Sequence, residues 1–404
     1  MFTASVPQFD YTHPWDIDFE TRFAMLVAGS PRAAYIYSRP DTSTFRYRCY
    51  NVAQSLATQT GPSASWFTER DMDRMDSVLA NCDVLILCRN ALYAGWLAKI
   101  AAKARALGIP IAFDVDDLVF DASYTHLLMD TLGLNTDDDA TLDYWYGYCG
   151  RVAATFQLAD TAIVTNPFLA TRAGAWSKKP VAVLQNALNA EQEAISAKIW
   201  NAHDRSGWSR DARFHVGYFS GSPSHTRDFA LIEPALGRLM DRREDVWLRI
   251  VGFMNDRPEL ARHRHRIETV PLVDFINLQR EIGAVEVNLV PLHDNDFTNC
   301  KSELKWFEAA IVGTLTVASP TVSYRDIIEH GTNGWLAGAQ GWDAALETVV
   351  DGFDDHHGVR ATARAQALAR YGHRHQTGRI ASALFGLPVT PRSQHAPAMI
   401  ASPG

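Results

Sequence analysis

The strongest constraint on the fold of this chain is a recurring order: a short β-branched, apolar run, then a segment long enough for a helix, then another such run. In the first half the runs fall at residues 33–38, 63–67, 83–88, 110–115, 161–165 and 181–184. The second half repeats the order with runs at 215–220, 246–252, 285–291 and 314–318. Strands joined through helices of this length lie parallel, because a parallel pair needs a crossover connection. The sequence therefore predicts an α/β chain of doubly wound parallel sheets.

One polar, unpatterned stretch, WNAHDRSGWSRDAR at 200–213, separates the two cycles. It predicts a linker at 201–213 between an N-terminal unit at 1–200 and a second unit at 214–358. Ala-rich helices follow over 359–388, and residues 389–404 read as a flexible tail. A chain of 404 residues, 47% hydrophobic and 21% charged, has enough apolar material for two cores. Its net charge of -8 argues against nucleic-acid binding, which leans on a basic surface, so any phosphate ligand should be small and locally held. Five cysteines without a C-x-x-C pair suggest reduced thiols and no metal site. With no long apolar run, a cytoplasmic chain is expected, and peripheral association with the inner face of a membrane stays open.

The most informative stretch is CKSELKWFEAAIVGTLTVASP, residues 300–320. A helix beginning near Ser302 would align Lys301, Lys305 and Glu308 on one face. Lysines in a first turn oppose the helix dipole at a cost of about 0.3–1 kcal/mol each, and a bound anion reverses that sign. Free N–H groups at the same end add to an anion site. Glu308 lies about 10 Å further along the axis, roughly the reach from a diphosphate to a ribose. Gly313 suits the helix C-cap. A second loop, GSPSHTRDF at 221–229, opens another helix with Ser222 or Ser224 as N-cap and Arg227 in its first turn. Two such ends could grip a diphosphate between them.

In the first unit, strand ends should line a crevice, which nominates Arg39, Arg89, Asn166 and the acidic group Asp114, Asp116 and Asp117. Arg46 and Arg48 could orient an acceptor or simply cap and pair. The acidic run FDVDDLVFD has several readings: a haloacid-dehalogenase-like phosphatase loop using Asp114 and Asp116, a metal-binding D-x-D, turn capping by Asp117 and Asp121, or a substrate-facing carboxylate. The HRHR segment at 263–266 reads as solvated surface between elements.

GYFSGSPSHTRDF, FEAAIVGTLTVASP and EHGTNGWLA resemble the nucleotide-sugar domain of the family 4 glycosyltransferases, and RYRCYN and FDVDDLVFD extend the likeness thinly to members that build cell-surface polysaccharides. The resemblance implies a GT-B fold, two Rossmann-like domains facing a central cleft, with the last helices returning to the first domain. It implies retaining, metal-independent transfer of a hexosyl or deoxyhexosyl group from a nucleotide-diphosphate sugar to a glycan or lipid-linked glycan hydroxyl, with no cofactor. The donor would lie against Gly221, Ser222, Arg227, the N–H groups of Ser302, Glu303 and Leu304, and Glu308, with Asn299 in the loop that could replace the missing glutamate contact. Lys301 and Lys305 join them on helix-end chemistry rather than on the family's pattern. Arg227 and Lys305 would stabilise the leaving group, and Asp116 and Asp117 would steady the sugar or the acceptor. Arg46, Arg48, Arg89 and Asp114 are the acceptor candidates. The family carries two glutamates eight positions apart; the second is Glu308, and the first falls on Cys300, so a non-catalytic nucleotide-sugar-binding subunit is the other expectation.

Overall fold

The computed structural model describes residues 1–58, 60–221, 226–254 and 257–386. Ser222 and Ser224, named for the donor loop and its cap, and the tail at 389–404 lie outside the described residues. The first sheet contains β1 (Arg32–Ile36), β2 (Ser63–Phe67), β3 (Val84–Cys88), β4 (Ile111–Val115), β5 (Thr161–Val164) and β6 (Val181–Val183) in the order β2-β1-β3-β4-β5-β6. The second contains β7 (Phe214–Ser220), β8 (Val246–Gly252), β9 (Ile267–Val270), β10 (Val287–Val290), β11 (Leu315–Ala318) and β12 (Trp335–Leu336) in the order β12-β11-β10-β7-β8-β9. Every ladder within both sheets is parallel.

The strands read as continuous apolar runs because helices cover both faces. In the first sheet Leu85, Leu87, Phe113 and Val164 pack on one side with Ile100, Val152 and Phe156. Tyr35, Trp66, Ile86 and Ile163 point the other way into Phe45, Cys49 and Leu56, as the two-residue period of a strand requires. Helix Thr377–Phe385 adds Ile380 and Leu384 to that second layer, and Thr377 Oγ1 donates to the Ser55 carbonyl at 3.2 Å. The last described helix therefore lies on the first unit. The leading residues do the reverse: Phe2 joins the core of the second sheet, and Phe9 exchanges hydrogen bonds with Asn277.

Several local expectations need correction. Residues 201–205, assigned to the linker, continue helix Ala190–Arg205. Its N-cap Asn189 accepts from the Gln192 N–H, acidic residues fill its first turn and basic ones its last, all matched to the helix dipole. The polar letters that suggested a linker are its solvent side, while Gln192, Ile195, Ser196, Ile199 and His203 are buried. The HRHR segment is only half solvated. Arg266 is buried and donates to the carbonyls of Met240, Arg243 and Val246, closing a helix end, and His263 is buried beside it. Two strands, β9 and β12, were not expected at all. The key helix begins at Leu304 and runs to Ala310, two residues later than predicted. Gly313 follows it at φ +85°, and a Cβ there would come within 2.3 Å of the Trp208 ring, so both conformation and packing demand glycine. Among the described residues no helix is long and apolar enough to cross a membrane.

Candidate functional site

In an open parallel sheet the ligand crevice opens where strand order reverses, outside the carboxyl ends. The order places these points between β1 and β3 in the first sheet and between β7 and β10 in the second. Arg89 directly follows β3 with φ +44°, a left-handed conformation that a side-chain-bearing residue seldom adopts. Its Nη1 donates to Thr44 Oγ1 at 3.1 Å, Asp116 Oδ1 at 2.8 Å and Asp117 Oδ2 at 3.0 Å. Thr44 in turn donates to the second Asp116 oxygen at 2.7 Å. Burial opposes the Arg89 charge, but Asp116 and Asp117 outweigh it and keep the guanidinium protonated. Backbone strain held by such a network is a mark of a working position.

Across the crevice stand the cations of the second unit. Lys301 Nζ lies 3.7 Å from Asp117 Oδ1 and 4.7 Å from the centre of the Phe297 ring. Lys305 Nζ lies 5.3 Å from the centre of the Tyr218 ring, and among the described residues no hydrogen bond or ion pair holds it. Burial pushes its pKa down to about 8, with the charge of Asp228 working upward. The Ser302 hydroxyl is buried without a hydrogen-bond partner, and the N–H groups of Ser302, Leu304 and Lys305 meet no acceptor among the described residues. With only seven residues in helix Leu304–Ala310 the dipole is small, so these N–H groups and the lysines would carry an anion. Gly221 follows β7, and a Cβ there would meet nothing within 4 Å among the described residues.

Arg227 sits in the short helix Thr226–Ala230 but turns to the first unit, pairing with Asp130 and donating to its carbonyl at 2.8 Å. Both partners are exposed, so the pair is worth at most about 1 kcal/mol. Asp130→Ala should therefore leave the fold intact, and if Arg227 serves an anionic ligand of this crevice, freeing it should tighten binding of that ligand by up to roughly fivefold, read by isothermal titration. Weaker binding in that variant would show that Arg227 does not serve the ligand.

The glutamates have less freedom than expected. Glu308 Oε1 receives Gln192 Nε2 at 3.0 Å, Arg46 Nη2 at 3.3 Å and the Tyr47 hydroxyl. All three donors fall on that one oxygen, and Oε2 receives none among the described residues. Glu303, given a backbone role at the diphosphate, is buried with its carboxylate accepting from Tyr371 at 2.6 Å and Gln185 at 2.8 Å. Burial raises its pKa. Arg46, named for the acceptor, is thus a buried support for Glu308, lying 4.7 Å from the centre of the Phe275 ring. Arg48 and Asp114 are likewise removed from any acceptor: they close on each other through 2.7 and 3.1 Å bonds at zero exposure. The phosphatase reading finds no support here, since the Asp114 side chain has no exposed surface through which a phosphate could reach it. Asp121 caps a turn, accepting from Ser123 N–H.

Cys300 is fully buried in the first unit's apolar cluster together with Phe297. The position at which the resembled family has a glutamate is thus an inter-unit plug. Around it, Asn166 Nδ2 donates to the carbonyls of Asn299 and Lys301, Asn295 donates to Thr131, and Asp296 pairs with Arg172. Asn299 itself is turned to Asp294 and to the Val322 N–H. Sequence reasoning missed Thr44, Tyr47, Gln185, Gln192 and Tyr371. Only Tyr47, between the two arginines of RYRCYN, had a local signal.

Residues 215–355 match the family model for group 1 glycosyl transferases. No curated protein matches the chain in sequence. Among solved structures, the Anabaena HepE protein in complex with UDP and glucose aligns with TM-score 0.58 at 14% identity, covering 88% of this chain and 99% of that one. Sucrose-phosphate synthase from Thermosynechococcus elongatus gives 0.57 at 14% identity, with 88% and 99% covered. A glycosyltransferase from Rickettsia africae gives 0.55 at 12%, again with 88% and 99% covered. At such identities the likeness shows the shared fold, which is the GT-B arrangement. The group 1 match spans β7 to β12 and takes in Gly221, Arg227, Lys301, Lys305 and Glu308.

Proposed function

We propose that the protein is a glycosyltransferase that moves a sugar from a nucleotide-diphosphate donor to an acceptor hydroxyl. The observation that carries this reading is Lys305, a half-buried ammonium with no hydrogen bond or ion pair among the described residues, beside N–H groups that likewise meet no acceptor there, at the crevice of the unit that matches group 1. A buried cation left unpaired is costly, and a diphosphate would repay it. Lys305, Lys301 and the Ser302, Leu304 and Lys305 N–H groups would hold that diphosphate. Arg227 would leave Asp130 to join them, and Glu308 would offer Oε2 to the ribose while Arg46, Tyr47 and Gln192 fix its other oxygen. As the bond from the sugar carbon to phosphate breaks, its electron pair passes to the diphosphate, and these cations stabilise the charge that develops. The acceptor oxygen bonds to the same carbon, and its proton passes to a donor phosphate oxygen. That front-face course gives retention. Asp116 and Asp117, locked by Arg89, would orient the acceptor, for which a surface glycan is the reading, without a metal.

The test is a thermal-shift screen of UDP, GDP and dTDP sugars, since a ligand of the native state raises its apparent stability. One of them should stabilise the protein, and turnover with any acceptor excludes a purely binding subunit. A pH series makes the assignment specific. Lys305 binds the diphosphate as a cation, and its pKa in the free protein is about 8. Donor affinity should therefore hold below pH 7 and fall as pH rises through 8, approaching tenfold per pH unit above it. An affinity flat from pH 7 to 9.5 would rule Lys305 out as the ligand.

A further inference from the structure

The crevice of the first unit does not end at Arg89. Helix Asp139–Leu158 carries Tyr144, Trp145 and Tyr148, and the Tyr148 hydroxyl lies 3.4 Å from Arg89 Nε. From there the rings run outward, Tyr148 to Trp145 at 5.8 Å and Trp145 to Tyr144 at 5.5 Å between centres. Tyr144 and Tyr148 are four positions apart, hence on one side of the helix and about 6 Å apart along it. Tyr93, in the loop after β3, borders the same side: the Leu92 N–H bonds to the Arg151 carbonyl, and the Arg151 guanidinium lies 5.7 Å from the centre of the Tyr93 ring. Tyr144 is 60% exposed and Tyr93 43%, so each keeps much of its ring in solvent although Tyr144 meets Trp145 edge-on and Tyr93 stacks on Trp96 at 6.3 Å.

We propose that Tyr93, Tyr144, Trp145 and Tyr148 form a rail for an extended, neutral glycan acceptor, leading its end to Arg89, Asp116 and Asp117. The proposal rests on the glycosyl-transfer reading and narrows its acceptor to a chain of several sugars. Three features favour this occupant. The rail is continuous with the strained, carboxylate-bearing crevice through the Tyr148–Arg89 contact. Its rings are tyrosine and tryptophan, whose flat apolar faces match the C–H faces of sugar rings while their polar tips stay wet. Arg151 beside Tyr93 and Arg89 beside Tyr148 are the cations along the rail, while its outer end is acidic, with Asp137, Asp138, Asp139 and Asp143 exposed. That charge repels anionic lipid and phosphate-rich polymers and offers acceptors to hydroxyl groups.

The test applies the full chain to an array of neutral gluco-, manno- and galacto-oligosaccharides of one to seven units, with phosphatidylcholine vesicles in parallel. Retention should rise with length and require at least three units. Tyr144→Ala and Tyr93→Ala should each weaken it roughly tenfold, and Tyr144→Phe, which keeps the ring, should retain it. Melting temperature and the nucleotide-sugar thermal shift should be unchanged in all three. No retention on any oligosaccharide, equal retention by both alanine variants and wild type, or a ring-dependent binding to vesicles instead would each overturn the proposal. A missing nucleotide-sugar shift alongside length-dependent retention would sink glycosyl transfer and leave the rail standing.

Discussion

Lys305→Ala is expected to lower kcat/KM for transfer by about 10²–10³-fold while leaving the melting temperature unchanged or raised. The stability side follows from burial. Lys305 is half-buried, and among the described residues it has no hydrogen bond or ion pair, only the Tyr218 ring at 5.3 Å, so the folded state gains little from its charge, and truncation removes a desolvation cost. The catalytic side follows from position. Its ammonium stands in the first turn of helix Leu304–Ala310, where the dipole alone would disfavour it. A cation kept there against burial, with only the Tyr218 ring and the charges of Asp228 and Glu308 in its favour, is expected to find its main partner in an anionic ligand. Lys305→Arg should recover only part of the loss, because the planar guanidinium cannot reproduce a compact point charge in that space. The measurement is steady-state kinetics on the nucleotide sugar that gives the thermal shift. Full activity in Lys305→Ala would remove the electrostatic account of the site.

How far the sequence revealed this protein depends on how local each signal is. The strand runs at 63–67 and 246–252 coincide with β2 and β8, because a buried parallel strand is written in consecutive apolar residues. The missed strands are those whose existence depends on a partner. β9 is four partly exposed residues held by β8, and β12 is two residues paired to β11. The site divides along the same line. Lys301, Lys305 and Arg227 could be named from helix-end chemistry within a few residues. Their counterparts could not: Asp130 stands 97 positions from Arg227, and Tyr47 stands 261 from Glu308. Depth was also illegible. Arg46, Arg48 and Asp114 occupy strand-end and post-strand positions just as Arg89 and Asp116 do, and nothing in their neighbours says which will point inward. Cys300 is the sharpest instance, since an apolar substitution in a ligand motif can mean a lost contact or, as here, a side chain redirected into another core.

Arg48→Met should destabilise the protein by about 3–5 kcal/mol at neutral pH, read as the midpoint of urea unfolding. Arg48 gives two hydrogen bonds to Asp114 and two more to the Leu184 carbonyl, at 2.6 Å, and to Asn186 Oδ1, at 3.1 Å. Burial pushes the Asp114 carboxyl upward even in the intact pair, with Arg48 opposing. Without Arg48 the folded pKa rises further above the unfolded value of about 3.9. A carboxyl with a raised folded pKa costs nothing when protonated in both states and costs progressively more as pH climbs from the unfolded to the folded value. The penalty should therefore be small near pH 4, grow as pH rises, and be full only above the raised folded pKa of Asp114. Arg48→Met with Asp114→Leu should regain most of the lost stability, because two apolar side chains of similar bulk leave no buried charge behind. The same pair of variants decides the acceptor question for these residues. If Arg48→Met were as stable as the wild type while the acceptor KM rose, Arg48 would have to reach the substrate; with the pair sealed at zero exposure, the expected order is the opposite, a large loss of stability and an unchanged KM in the folded fraction.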